Sequence, residues 1–161
     1  MLDPSEVLHS RASAYANARG VVLEATLGSG KDGFVFSTNE RTAIKIFHQA
    51  ETFHRERACY LRFQEVGTYE ILGHHVPRFL KADAVLLALE MSIVQPPYIL
   101  DFASGYLDDP PDFPEEVITQ WQQAKTEEFG SHWSRVQVIL EVLKQNFGIY
   151  LLDVHPGNIA F

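Results

Sequence analysis

The sequence has a single cysteine, no long apolar run and few basic residues, and each shortage removes a class of protein. Cys59 stands alone, so one chain can form neither an internal disulfide nor a cysteine-based zinc site. No stretch of about 18 uninterrupted apolar residues is there to cross a bilayer. The first residues, with Asp3 and Glu6, lack the basic start and apolar run of a signal peptide. Lys and Arg total 13 against 21 Asp and Glu, a formal charge of −8, which opposes a nucleic-acid partner because polyphosphate binding needs a basic surface. Internal repeats and low-complexity tracts are also missing. The expectation is a soluble, cytoplasmic chain of 161 residues whose 46% apolar content suffices for a sizeable core.

Seven histidines are present, but His74 and His75 are adjacent, and His48 and His54 lack the i, i+4 spacing of a helical zinc pair. A transition-metal site is therefore not expected.

Asp3-Pro4-Ser5-Glu6 combines an N-cap, a proline in the first turn and an acid three residues after the cap, predicting a helix to about Arg19. Gly20 stops it, and the β-branched run 21–27 reads as a strand. Residues 34–38 and 42–47 read as strands joined by Asn39-Glu40-Arg41, a hairpin connection. Phe53, Arg57, Tyr60, Leu61 and Gln64 fall at helical spacing, predicting a helix from Ala50 to about Glu65. Two more strands are expected at 76–80 and 84–94, with Pro96-Pro97 closing the block. The acidic, proline-rich stretch from Asp108 to Glu116 reads as a linker. Helices should follow from Pro114 to about Phe129 and from about Trp133 to Phe147.

Leu27-Gly28-Ser29-Gly30-Lys31-Asp32-Gly33-Phe34-Val35 contains Gly-x-Gly-x-x-Gly, a spacing that lets backbone amides approach phosphate oxygens without side-chain obstruction. A dinucleotide fingerprint would need a helix next, whereas β-rich Phe34-Val35-Phe36 follows. A phosphate loop of the Walker type would need Ser or Thr after its Lys, where Asp32 stands. A glycine lid on a β-hairpin remains, and it demands a Lys on the adjacent strand. Ala43-Ile44-Lys45 meets that demand. The competing structural reading is an edge-strand lysine kept exposed against aggregation.

In these residues the sequence resembles the protein-kinase superfamily, whose glycine loop has the form Leu-Gly-x-Gly-x-x-Gly-x-Val and whose third strand carries Ala-x-Lys. A charged Lys among strands needs a partner. Glu51, Glu56 and Glu65 are available on the following helix, and Glu56 matches the kinase pattern of Glu ahead of an aromatic and Leu, here Tyr60-Leu61. An ordinary solvated helix charge is the alternative.

Asp153-Val154-His155-Pro156-Gly157-Asn158 is the strongest local motif. Pro and Gly stop helix continuation, so a tight loop can bring Asp153 and Asn158 to one cleft. An Asp can accept the proton of an attacking hydroxyl, and Asn supplies a neutral oxygen to magnesium. A plain helix-to-strand turn competes. With Leu151-Leu152 in place of His-Arg ahead of the Asp, the loop resembles the aminoglycoside and choline phosphotransferases and the ABC-one-type atypical kinases more than the eukaryotic protein kinases.

The resemblance implies an α+β, protein-kinase-like fold in which an N-terminal helix (1–20) precedes an upper lobe (21–95). That lobe would hold a five-stranded antiparallel sheet and one main helix, and 96–161 a hinge, linker and partial helical lobe. It implies ATP and magnesium as ligands and transfer of phosphate to an unidentified hydroxyl. Gly28, Gly30 and Gly33 would cover the phosphates, Ala43 and the Glu90-Met91-Ser92 hinge would hold adenine, and Lys45 would bind phosphate while paired to Glu56. Asp153 would be the base and Asn158 a metal ligand. These enzymes carry a second metal-binding acid after the catalytic loop, in Asp-Phe-Gly or a variant, and Phe161 is reached before one. A non-catalytic, pseudokinase-like module, with a homodimer or protein partner on the shortened lobe, is the alternative expectation.

Overall fold

The computed structural model describes residues 3–95 and 98–161. Helix α1 (Pro4–Arg19) begins with the capping box read from the sequence: the Asp3 carboxylate accepts from Ser5 N–H, and the Glu6 carboxylate accepts from Asp3 N–H at 3.3 Å. Gly20, at φ 72°, ends it.

Strands β1 (Leu23–Ser29), β2 (Gly33–Thr38) and β3 (Thr42–Phe47) precede helix α2 (Ala50–Val66). A two-residue hairpin, β4 (Glu70–Ile71) and β5 (His74–His75), then leads to β6 (Phe79–Asp83) and β7 (Ala88–Ser92). Five of these form one antiparallel sheet in the order β1-β2-β3-β7-β6. The α+β class and the five-stranded antiparallel sheet are thus as expected.

Alternation along β3 explains its apolar character, because both of its faces are covered. Ile44 and Ile46 pack with Leu8, Ala12 and Tyr15 of α1, while Ala43 and Phe47 join Phe53, Tyr60 and Phe63 of α2. Lys45 shares the period of Ala43 and Phe47 and so faces α2. Burying each of these large side chains contributes about 2 kcal/mol, which holds β3 rigidly between the two helices.

Two strand boundaries differ from the sequence reading. The apolar run 84–94 is not one strand, because the Asp83 carboxylate accepts from the N–H of Val85 and of Leu86 and turns the chain, and Leu87 adopts φ 52°. Strand pairing therefore resumes only at Ala88. Likewise β6 starts at Phe79 rather than residue 76, since Val76 N–H is taken by the Tyr69 carbonyl. The expected closure at Pro96-Pro97 lies outside the described residues.

The remaining chain forms β8 (Gly105–Leu107), α3 (Glu115–Phe129), a 3-10 turn (Gly130–His132), α4 (Trp133–Phe147) and β9 (Ile149–Leu151). Residues 109–114 carry no regular structure, in line with the proline-rich linker. β8 pairs antiparallel with β9, and Leu100 bridges Ile159. One core runs from Phe47 and Leu89 through Tyr60 and Phe102 to Leu143 and Ile159, so packing continues across the expected boundary at residue 96.

Candidate functional site

Lys45 projects from β3 toward α2 and meets Glu56, with Nζ donating to the two carboxylate oxygens at 3.0 and 2.7 Å. Both side chains are buried, which excludes the exposed edge-strand reading. Burial disfavours the Lys45 ammonium, but the Glu56 carboxylate outweighs it and holds the pKa above the ordinary value. Burial pushes the Glu56 carboxyl up to about 7 against the pull of Lys45. The ammonium is also within electrostatic reach of Asp101 and Asp32.

The β1–β2 hairpin forms the expected glycine loop, closed by Gly30 N–H donating to the Gly33 carbonyl at 3.0 Å. Its three glycines differ in kind. A Cβ on Gly33 would strike the Ile46 carbonyl, so packing of β2 on β3 requires this glycine. A Cβ on Gly28 or Gly30 would meet nothing within 4 Å. Packing does not demand those two, and their bare backbone faces open space, as close approach of a ligand would need.

Glu90, Met91 and Ser92 do not form a hinge, which corrects the sequence reading. All three lie in β7, opposite Ile44, Ala43 and Thr42 of β3, and Glu90 and Met91 also pair with Lys81 and Phe79 of β6. A central strand spends its backbone groups on its neighbours. The irregular backbone begins only at Ile93. The Glu90 side chain is fully buried and accepts from Tyr15 Oη at 2.9 Å, Arg19 Nε at 2.8 Å and Thr42 Oγ1 at 2.9 Å. It fastens α1 to the sheet. Ala43 is buried on the α2 side of β3.

After β9 the chain makes the loop 153–158. The Asn158 amide nitrogen donates to the Asp153 carbonyl at 2.6 Å and lies 3.4 Å from its carboxylate. Its amide oxygen has no hydrogen bond among the described residues. His155 Nδ1 accepts from Gly157 N–H at 3.0 Å, and His155 Nε2 is 3.7 Å from the Asp153 carboxylate. His155 thus shapes the loop.

Asp101 is the site residue that the sequence reading missed. Its N–H donates to the Asn158 carbonyl at 3.0 Å, while Leu100 pairs with Ile159 and Gly105 with Leu151. Residues 99–107 therefore line both flanks of the loop. Burial raises the Asp101 carboxyl, opposed by the Ala103 N–H and by the charge of Lys45; His155 and Asp153 are also within reach. One carboxylate thus senses Lys45, from the sheet, and Asp153, from the loop. The signal was Leu100-Asp101-Phe102-Ala103, whose Asp-Phe pair resembles the start of Asp-Phe-Gly. It stands 52 residues before Asp153, and chain order concealed it.

No protein-family model, curated protein or solved structure matches the chain. The functional reading therefore rests on the site itself. Among the described residues no helix is long and apolar enough to cross a membrane. Nor do three or more His, Cys, Asp or Glu side chains converge to hold a metal ion by themselves. The backbone bond from Asp101 N–H to the Asn158 carbonyl makes the two residues neighbours, and the Asp101 carboxylate and the Asn158 amide oxygen are hard donors. Such a set suits magnesium, which is commonly held by one or two protein oxygens with water and phosphate completing its shell.

Proposed function

We propose that the protein is a kinase-like phosphotransferase that moves the terminal phosphate of ATP to a hydroxyl acceptor. In this reading its acidic metal-binding segment precedes the catalytic loop in the chain instead of following it. The supporting observation is the meeting of the buried Lys45–Glu56 pair, under a glycine hairpin, with Asp101 and the Asp153–Asn158 loop. In this reading Asp101 takes the role of the second acid.

The residues divide the work as follows. Gly28 and Gly30, without side chains, let phosphates approach the hairpin backbone closely, and Lys45, held straight by Glu56, supplies positive charge where negative charge accumulates. Asp101 and Asn158 would hold magnesium, which when bound neutralises phosphate charge. Asp153 accepts the proton as the acceptor oxygen bonds to the terminal phosphorus and the bond from that phosphorus to the ADP oxygen breaks. Most of the rate effect comes from positioning, which the rigid β3 and the paired segments around the loop provide.

Calorimetric titration with ATP and magnesium, alongside an ATP-turnover assay, tests this reading. We expect binding by the native chain, loss of binding in Lys45→Ala, and Asp101→Asn turnover reduced about 100-fold or more. Tight binding with no turnover in the native chain would support the non-catalytic module instead, and no binding in any condition would reject both.

A further inference from the structure

The tip of the glycine hairpin is tied to the floor of the cleft. Ser104 Oγ donates to Asp32 Oδ2 at 2.9 Å, across 72 residues of chain. Ser104 sits three residues after Asp101 and adopts φ 56°, a left-handed conformation that is strained for a non-glycine residue and persists only where surroundings impose it. Packing makes few demands at the hairpin end, since a Cβ on Gly28 or Gly30 would meet nothing within 4 Å. The tie is thus a specific contact between roof and floor.

The charge of that contact is unusual for a phosphate site. Asp32, Asp101 and Glu56 all act electrostatically on one another or on the single ammonium of Lys45. A bare polyphosphate approaching Lys45 meets the carboxylates of Glu56, Asp101 and Asp32 around that ammonium, and Asp32 stands on the element meant to cover it, beside Lys31.

We propose that Asp32 and Ser104 form a charge-sensitive latch that keeps the hairpin closed to metal-free nucleotide and admits the nucleotide as its divalent-cation complex. This rests on the phosphotransferase reading and adds a selectivity to it. While Ser104 holds it in place, the Asp32 carboxylate repels phosphate oxygens arriving under the hairpin. A cation carried with the phosphates lowers that repulsion and gives Asp101 a favourable partner, so the complex opens the latch where free ATP does not.

Two variants separate the contact from its charge. Ser104→Ala removes the bond, and amide hydrogen exchange over residues 28–33, measured without nucleotide, should rise about tenfold or more. Asp32→Asn keeps a hydrogen-bond acceptor but removes the charge, and calorimetry with ATP in excess chelator should show affinity raised about tenfold or more over the native chain. Exchange unchanged in Ser104→Ala overturns the latch whatever the nucleotide does. Native binding of ATP with magnesium, together with Asp32→Asn binding free ATP no more tightly than native, overturns the charge selectivity alone. A hairpin that loosens in Ser104→Ala while no variant binds ATP in either metal state overturns the nucleotide reading and the selectivity built on it.

Discussion

At the residue scale two buried carboxylates, one in the site and one anchoring α1, show opposite pKa behaviour. Glu56, raised to about 7 by burial, is stabilising to the fold in its neutral form, so its contribution is complete below the ordinary value of 4.5 and is lost as pH rises through about 7. Lys45 offsets that loss by pairing with the ionised form. Lys45→Met should therefore be destabilised by about 3 kcal/mol in alkaline solution and by much less in mild acid. Urea unfolding on both sides of neutrality measures this, and a pH-independent deficit would contradict it. For Glu90 burial acts to raise the carboxyl, but the bonds from Arg19, Tyr15 and Thr42 outweigh it and the pKa is lowered. Its stabilisation is present above the ordinary value of 4.5 and is lost as pH falls through the folded value. Glu90→Gln should cost about 2 kcal/mol at neutral pH, with the gap to the native chain closing in acid denaturation.

At the element scale the glycine hairpin separates packing from binding. Gly33 is fixed by the Ile46 carbonyl, so Gly33→Ala should lower stability by about 2 kcal/mol or more through displacement of β2 from β3. Gly28→Ala meets nothing and should leave the melting transition within about 0.5 kcal/mol of native, while weakening nucleotide binding in the same calorimetric assay. Equal effects of the two on stability would show that the hairpin is packed differently. These elements were legible in the sequence because their determinants are local: the Asp3 cap, the Gly20 stop and the alternation along β3 each lie within a few residues of what they control. The break at Asp83 was hidden because one carboxylate capping two amides outweighed an apolar run that pattern alone reads as continuous strand.

At the scale of the whole molecule, two segments distant in sequence complete each other. Residues 99–107 run beside 149–160 through the β8–β9 pairing, the Leu100–Ile159 bridge and the hydrogen bond from Ala160 N–H to the Ile99 carbonyl. Arg62 reinforces the junction by gripping the Asp108 carboxylate with two nitrogens, each at 2.8 Å, while also donating to the Phe147 carbonyl. Removing everything after Gly148 should strip amide-exchange protection from residues 99–107 and withdraw Asp101 from its place, although that residue is untouched. Retained protection there would show that the segment holds its shape alone.

The amino-acid sequence by itself determined the helices, the glycine hairpin, the pairing of Lys45 with Glu56 and the turn-rich loop from Asp153 to Asn158, since spacing and side-chain chemistry within short windows suffice for these. Only the tertiary structure decided that β7 runs through Ser92, that Glu90 is an anchor for α1, and that Asp101 stands beside Asn158. Those outcomes depend on which strands become neighbours, and strand pairing is set by burial summed over the whole chain, a quantity no local window contains.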